Sequence, residues 1–241
     1  MYTKNLYETD TLRSATGPTI RPGGLELTDR ALAHCRLPAG AAVLDAGCGR
    51  GATLAHLKNR HRLRAIGLDL SQLLLVEGRS NDPSLAMVRA DAARTPLPDE
   101  GLAAVCCECV LSLTPAPRRV LEEFFRVLAP GGYLLLSDLY RPSPASVAPA
   151  PAASVNCCLK GTATQEQIVD RVSAAGFKIS VWEDHSPLLK VLAAQLVFAY
   201  GSLDAFWRSV WGGSDPAGEA TKTCGRPGYF LLVARKEISH G

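Results

Sequence analysis

The chain has 241 residues, of which 47% are hydrophobic, 20% charged and 6% aromatic, and its net charge is +3. That length buries one full core, and the usual ~100–200 residues per domain fit a single α/β domain with short additions. The weak charge and sparse aromatics exclude a basic-aromatic nucleic-acid surface. No apolar run reaches the ~18 residues of a membrane span, and the first residues lack the apolar centre of a secretory signal, so a cytoplasmic protein is expected. In that compartment the eight cysteines read as free thiols, metal or metalloid ligands, or redox groups rather than a disulfide framework. The five histidines are scattered, show no helix-spaced ligand pair, and read as structural, with no metal site expected.

Residues 1–24 are polar and interrupted by Gly17-Pro18 and by residues 21–24, which predicts a loop, either an irregular arm or a lid. A helix follows, with Leu25, Leu32 and Cys35 on its buried face and Thr28 or Asp29 in its first turn, stopping at Pro38. Residues 43–57 then read as a buried parallel strand, a turn through Gly47, Gly49 and Gly51, and a helix. Glycines suit that turn because a side chain would strain it and hold a bound nucleotide away from the backbone. The spacing Gly47-x-Gly49-x-x-Ala52 also fits a dinucleotide fingerprint. Asp45 weighs against that reading: a phosphate-binding loop gains nothing from a carboxylate there, whereas a cationic ligand does.

Residues 63–70 form a second buried strand ending in Asp69, 24 positions after Asp45 and close to the ~20-residue offset of an acid that binds a ribose. Residues 85–92 form a third strand ending in Asp91 and Ala92. The fourth, residues 102–111, delivers Glu108 and Cys109 to the carboxyl edge of the sheet, where ligands of open α/β sheets bind. Its Cys106 and Cys107 face opposite sides. An amphipathic helix over 117–128 stops at Pro130-Gly131-Gly132, and the fifth strand runs from Tyr133 to Asp138. Pro142 to Ala153 is a loop by composition. A helix from Thr164 to Ala175 precedes a sixth strand to about Glu183. Residues 187–211 are helical and apolar, and Gly228 to Arg235 is a closing strand.

At Asp45-Ala-Gly-Cys-Gly-Arg-Gly51 the chain resembles motif I of the class I S-adenosylmethionine-dependent methyltransferases, and Asp69, Asp91-Ala92 and residues 128–132 resemble further marks of that family in the same order. The resemblance covers roughly residues 40 to 185. It implies a Rossmann-like, doubly wound, seven-stranded and mostly parallel sheet with helices on both faces. It also implies a single domain: an N-terminal arm and helix at 1–36, a cofactor-binding core at 40–185, and a helical insertion at 187–225 that caps the substrate side or forms a homodimer contact. S-adenosylmethionine is the implied cofactor, with Asp45, Gly47, Cys48, Gly49, Asp69, Leu70, Asp91, Ala92 and Glu108 facing it and Tyr7 and Arg21 in reach of ligand.

Residues 108–115 resemble a segment of arsenite methyltransferases, and Cys158 and Cys224 stand where that subfamily holds two arsenic-binding thiolates; soft thiolates suit soft centres. Glu108 and Ser112 depart from its asparagines. A zinc site from Cys157, Cys158 and Cys224 is disfavoured, since adjacent cysteines rarely share a tetrahedral ion. The expected reaction is in-line methyl transfer to a small molecule, including a thiol-held metalloid. Glu108 is the expected base for an oxygen or nitrogen acceptor, and Cys158 and Cys224 hold a metalloid. Two other readings stay open: a cofactor-binding protein serving as a metal- or partner-binding module, and a nicotinamide-dependent oxidoreductase. No nucleic-acid or membrane partner is expected.

Overall fold

In the computed structural model, which describes residues 4–142, 155–211 and 227–237, a two-residue strand β1 (Lys4–Asn5) and a 3-10 turn (Leu6–Glu8) lead into helices α1 (Asp10–Thr16) and α2 (Gly24–Leu32). Strands and helices then alternate: β2 (Ala42–Ala46), α3 (Ala52–Asn59), β3 (Arg64–Asp69), α4 (Gln72–Asn81), β4 (Met87–Arg89), β5 (Leu102–Glu108), α5 (Pro117–Val127) and β6 (Leu128–Arg141). Two short strands, β7 (Val155–Asn156) and β8 (Ala163–Thr164), precede α6 (Gln165–Ala174), β9 (Phe177–Asp184), α7 (Ser186–Tyr200), α8 (Leu203–Trp211) and β10 (Gly228–Lys236).

The main sheet runs β4-β3-β2-β5-β6-β10-β9, and β8 adds a two-residue pairing to β6. Only β10 is antiparallel to its neighbours on that path. This is the expected doubly wound, mostly parallel sheet. Strand order reverses between β2 and β5, which opens a crevice at their carboxyl ends.

Helices cover both faces, so the central strands are apolar on both sides. On one face α5 buries Val120, Leu121, Phe124 and Val127, a helical 3–4 spacing, beside Ile168 and Val172 of α6. On the other, Leu27, Ala31 and Leu32 of α2 and Leu57 of α3 meet Val43, Leu135 and Tyr229. Cys107 belongs to the first face and Cys106 to the second, as alternation requires. Thr164 caps α6 reciprocally with Gln167, which explains the sharp start of that helix.

Several expectations need correction. The N-terminal segment is not a bare loop: Leu6 and Leu12 are buried with Leu196, Phe206 and Val210 in a third apolar cluster. Helix α2 ends at Leu32, well before Pro38, and it buries Thr28 mid-helix while Leu25 is only half-buried. Strand β4 covers only Met87–Arg89, so Asp91 sits in a turn beyond it. Strand β6 begins at Leu128 and absorbs Pro130-Gly131-Gly132, because pairing of Leu128 with Leu102 outweighs local turn preference. The apolar stretch after β9 is two helices, broken at Gly201 with φ 82°. Among the described residues no single helix is long and apolar enough to cross a membrane. The loop expected at 142–153 lies, from residue 143 on, outside the described residues.

Candidate active site

The turn after β2 is built by three glycines with positive φ, Gly47 at 77°, Gly49 at 53° and Gly51 at 86°. A Cβ at Gly47 would fall 2.2 Å from Val110 Cγ2, whereas one at Gly49 would meet nothing within 4 Å. Gly47 is therefore needed for packing, and Gly49 leaves the crevice open. The Gly47 and Cys48 N–H groups both donate to Leu68 O, at 2.7 and 2.9 Å, which ties the turn to β3. Cys48 tucks its thiol against Gly67, where a Cβ would come 2.8 Å from Sγ. Asp69 accepts from Gly49 N–H on Oδ2 and from Ser71 N–H on Oδ1, each at 2.8 Å.

Asp45 is buried at the end of β2, and its Oδ2 has no hydrogen-bond partner among the described residues. Burial, reinforced by the charge of Glu108, pushes its carboxyl up to about 8. A buried carboxylate oxygen without a partner is costly, and a cationic ligand relieves that cost. Asp45 opens onto a cavity of about 1370 Å³, and all nine residues expected to face a cofactor line it, together with Tyr7 and Arg21. Asp91 and Ala92 stand at its rim, with Asp91 Oδ1 accepting from Ala93 N–H at 2.9 Å.

Glu108 occupies the middle of the crevice. It pairs with Arg21 Nη2 at 2.8 Å, and Thr28 Oγ1 and Thr53 Oγ1 donate to it at 2.9 and 3.2 Å. Burial works against the Arg21 guanidinium, but Glu108 and other nearby negative groups outweigh it and hold it above its ordinary value. Three donors, one of them cationic, thus converge on Glu108, and the Arg21 pair fastens the N-terminal segment over the crevice.

Apart from Cys35 and Cys48, the described thiols divide into two sets. Cys106 and Cys107 are fully buried core residues. Cys109, Cys157 and Cys158 line the cavity. Cys109 follows β5 with φ 57°, and its Sγ lies 3.1 Å from the Tyr229 hydroxyl, which donates on to Ser137 Oγ at 3.3 Å. The Cys158 N–H donates to the Tyr7 hydroxyl at 3.2 Å. Burial, then the charge of Asp138, pushes the Cys109 and Cys158 thiols up, so both stay protonated at neutral pH. Cys224 lies outside the described residues, and the expected pair of Cys158 with Cys224 falls there with it.

The other half of the cavity wall is apolar and comes from the N-terminal segment and α7–α8: Leu6, Leu12, Leu192, Leu196, Phe206 and Trp207. Tyr140, Asp184, Ser186 and Lys190 add a polar edge. Sequence reasoning missed Thr28, Thr53, Asp184 and Tyr229. Each reaches the site through tertiary packing, and no local motif marks them. It also read His56 and His61 as unrelated, whereas both meet Asp29.

Residues 44–136 match the methyltransferase domain family. The chain is 38% identical over 122 residues to phthiotriol/phenolphthiotriol dimycocerosates methyltransferase 1 of Mycobacterium ulcerans, covering 49% of this chain and 44% of that protein. It is 30% identical over 155 residues to arsenite methyltransferase of Halobacterium salinarum, covering 61% and 39%. The chain thus spans about half or less of the curated relatives it matches. Among solved structures, the [4+2]-cyclase SpnF superposes with a TM-score of 0.75 at 24% identity over 97% of this chain and 93% of that one, which establishes a shared fold.

Proposed function

We propose, from the premise that residues 44–136 belong to the methyltransferase domain family, that this chain is an S-adenosylmethionine-dependent methyltransferase acting on a small molecule with a large apolar body. The observation that carries the reading is the unpartnered Oδ2 of Asp45, buried at the mouth of a glycine turn whose cavity is also lined by Asp69 and Asp91. Those residues fit a ligand that is cationic at one end and a nucleoside at the other. Asp45 faces the cationic end, and the Gly47–Gly49 backbone gives it close approach. Asp69 has lone pairs left for two ribose hydroxyls after its two backbone bonds. Asp91 and Ala92 receive the adenine, one accepting from its amino group and the other leaving room for the ring.

S-adenosylmethionine held by Asp45, Asp69, Asp91 and Ala92 would supply an activated methyl group for transfer to the acceptor. The protein supplies approach geometry and exclusion of water. Arg21, Thr28 and Thr53 hold Glu108 and with it the closing segment. Leu192, Leu196, Phe206 and Trp207 favour an apolar acceptor. The relative named for phthiotriol and phenolphthiotriol dimycocerosates supports such an acceptor.

A second reading, arsenite as acceptor, is favoured by Cys109, Cys157 and Cys158 on the cavity wall and by the halobacterial relative. It requires the raised thiols to lose their protons to the metalloid.

Calorimetric titration with S-adenosylmethionine tests the core of the proposal, and transfer of labelled methyl to lipophilic alcohols and phenols, against arsenite, tests the acceptor. Binding that is weakened in Asp69→Ala, with label moving to a lipophilic acceptor, is the expected result. Binding without transfer to any acceptor would leave a cofactor-holding protein of other chemistry, and no binding would end the proposal.

A further inference from the structure

Away from the crevice, three side chains from separate parts of the chain converge. Asp29 projects from α2 and His56 from α3; His61 follows α3, beside Arg62 with its positive φ of 55°. Each imidazole Nε2 lies 2.6 Å from the same Asp29 Oδ1. The rings meet edge to face with centroids 5.2 Å apart. None of the three lines the large cavity.

Two contacts to one carboxylate oxygen hold only while each Nε2 carries a hydrogen. When each ring moves its hydrogen to Nδ1, two imidazole lone pairs and a carboxylate face a common point. Imidazole nitrogen and carboxylate oxygen are ligands for zinc at ~2.0–2.2 Å, and imidazole suits the neighbouring transition metals as well. The three donor atoms lie within 4.8 Å of one another, a span one ion bridges with small side-chain rotations, and all three residues are half-buried, so water can complete the shell from the open side.

We propose that Asp29, His56 and His61 form a divalent transition-metal site of the zinc class that ties α2 to α3. Each ring would bind the ion through the lone pair of Nε2, with its hydrogen on Nδ1. The tie sits beside Thr28, which donates to Glu108, so it steadies the helix that borders the crevice. The site makes no use of the methyl-transfer reading and stands or falls without it.

The test is titration of the full chain with Co²⁺ as a spectroscopic substitute for Zn²⁺. The expected result is a single bound ion whose spectrum lacks thiolate-to-metal charge transfer, with binding lost in His56→Gln/His61→Gln. A charge-transfer band would assign the ion to cysteines and overturn the proposal, as would binding retained in the double variant or no binding at all. A second measurement needs no variant. Zn²⁺ added to the unmodified chain should move the side-chain nitrogen NMR signals of two of the five histidines, and signals that stay in place would refute the site.

Discussion

The two halves of the cavity wall are made in different ways. The proposed cofactor half is assembled from strand ends: Asp69 and Glu108 close β3 and β5, Asp45 stands one residue before the end of β2, and the backbone of a single glycine turn lies between them. The proposed acceptor half is assembled from side chains of α1, α7, α8 and the segment before α1, which have no sheet to register them. A site set by strand ends tolerates little change, because each position is fixed by pairing. A wall of packed helices accepts substitution, so specificity is tuned there.

The sharpest way to break this contrast is Gly47→Ala. The added Cβ would strike Val110 at 2.2 Å in a backbone conformation that disfavours side chains, so cofactor binding should be abolished and stability reduced by about 1–3 kcal/mol. Calorimetry and thermal unfolding read both. Next in size, Asp69→Ala removes a charged acceptor and should weaken cofactor binding roughly 10- to 100-fold, from about 1.5–3 kcal/mol per such bond. Near-wild-type affinity would dissociate Asp69 from the ribose.

Asp45 should give a pH signature. Its carboxyl lies at about 8 in the folded chain, so it holds a proton that a cationic ligand must displace. Affinity should rise with pH by up to about tenfold per unit until about pH 8, then level off. Buffers of different ionisation heat would show the proton released. Stability has the opposite slope. The folded state keeps a proton that the unfolded chain loses above about pH 4, so stability falls as pH rises from there to about 8 and then stays level. Asp45→Asn should flatten both profiles.

The smallest effect is expected on the helical side. Leu192→Ala should raise the KM for a lipophilic acceptor about three- to tenfold, within the ~1–3 kcal/mol that small changes in an apolar pocket carry, and leave cofactor affinity unchanged. A matching loss of cofactor affinity would show that the two halves are not separable.

The same contrast explains what could be read in the sequence. The glycine turn, the strand-terminal carboxylates and the amphipathic pattern of α5 are local signals, and sheet order follows from their succession. The Arg21–Glu108 pair is not local: Arg21 precedes α2, Glu108 closes β5, and the two meet only after α2 docks on the sheet. Asp29, His56 and His61 likewise carry no pattern before α2 and α3 pack together. The N-terminal segment misled because two apolar anchors, Leu6 and Leu12, suffice to fix it against α7 and α8. Strand β4 was overextended because residues 90–92 are small and apolar or acidic, compatible with either strand or turn, and the pairing to β3 ends at Arg89.

Strand β10 is made after β9 yet lies between β9 and β6, with Tyr229 to Ala234 almost wholly buried. Until that segment leaves the ribosome, β6 and β9 cannot share a continuous sheet, and each presents an unpaired edge in the middle of what will become the core. Exposed edges of this kind invite pairing with other chains. The nascent protein is therefore at its most vulnerable just before synthesis of one nine-residue strand, and a ribosomal pause placed ahead of it would lengthen the interval in which a chaperone must shield those edges.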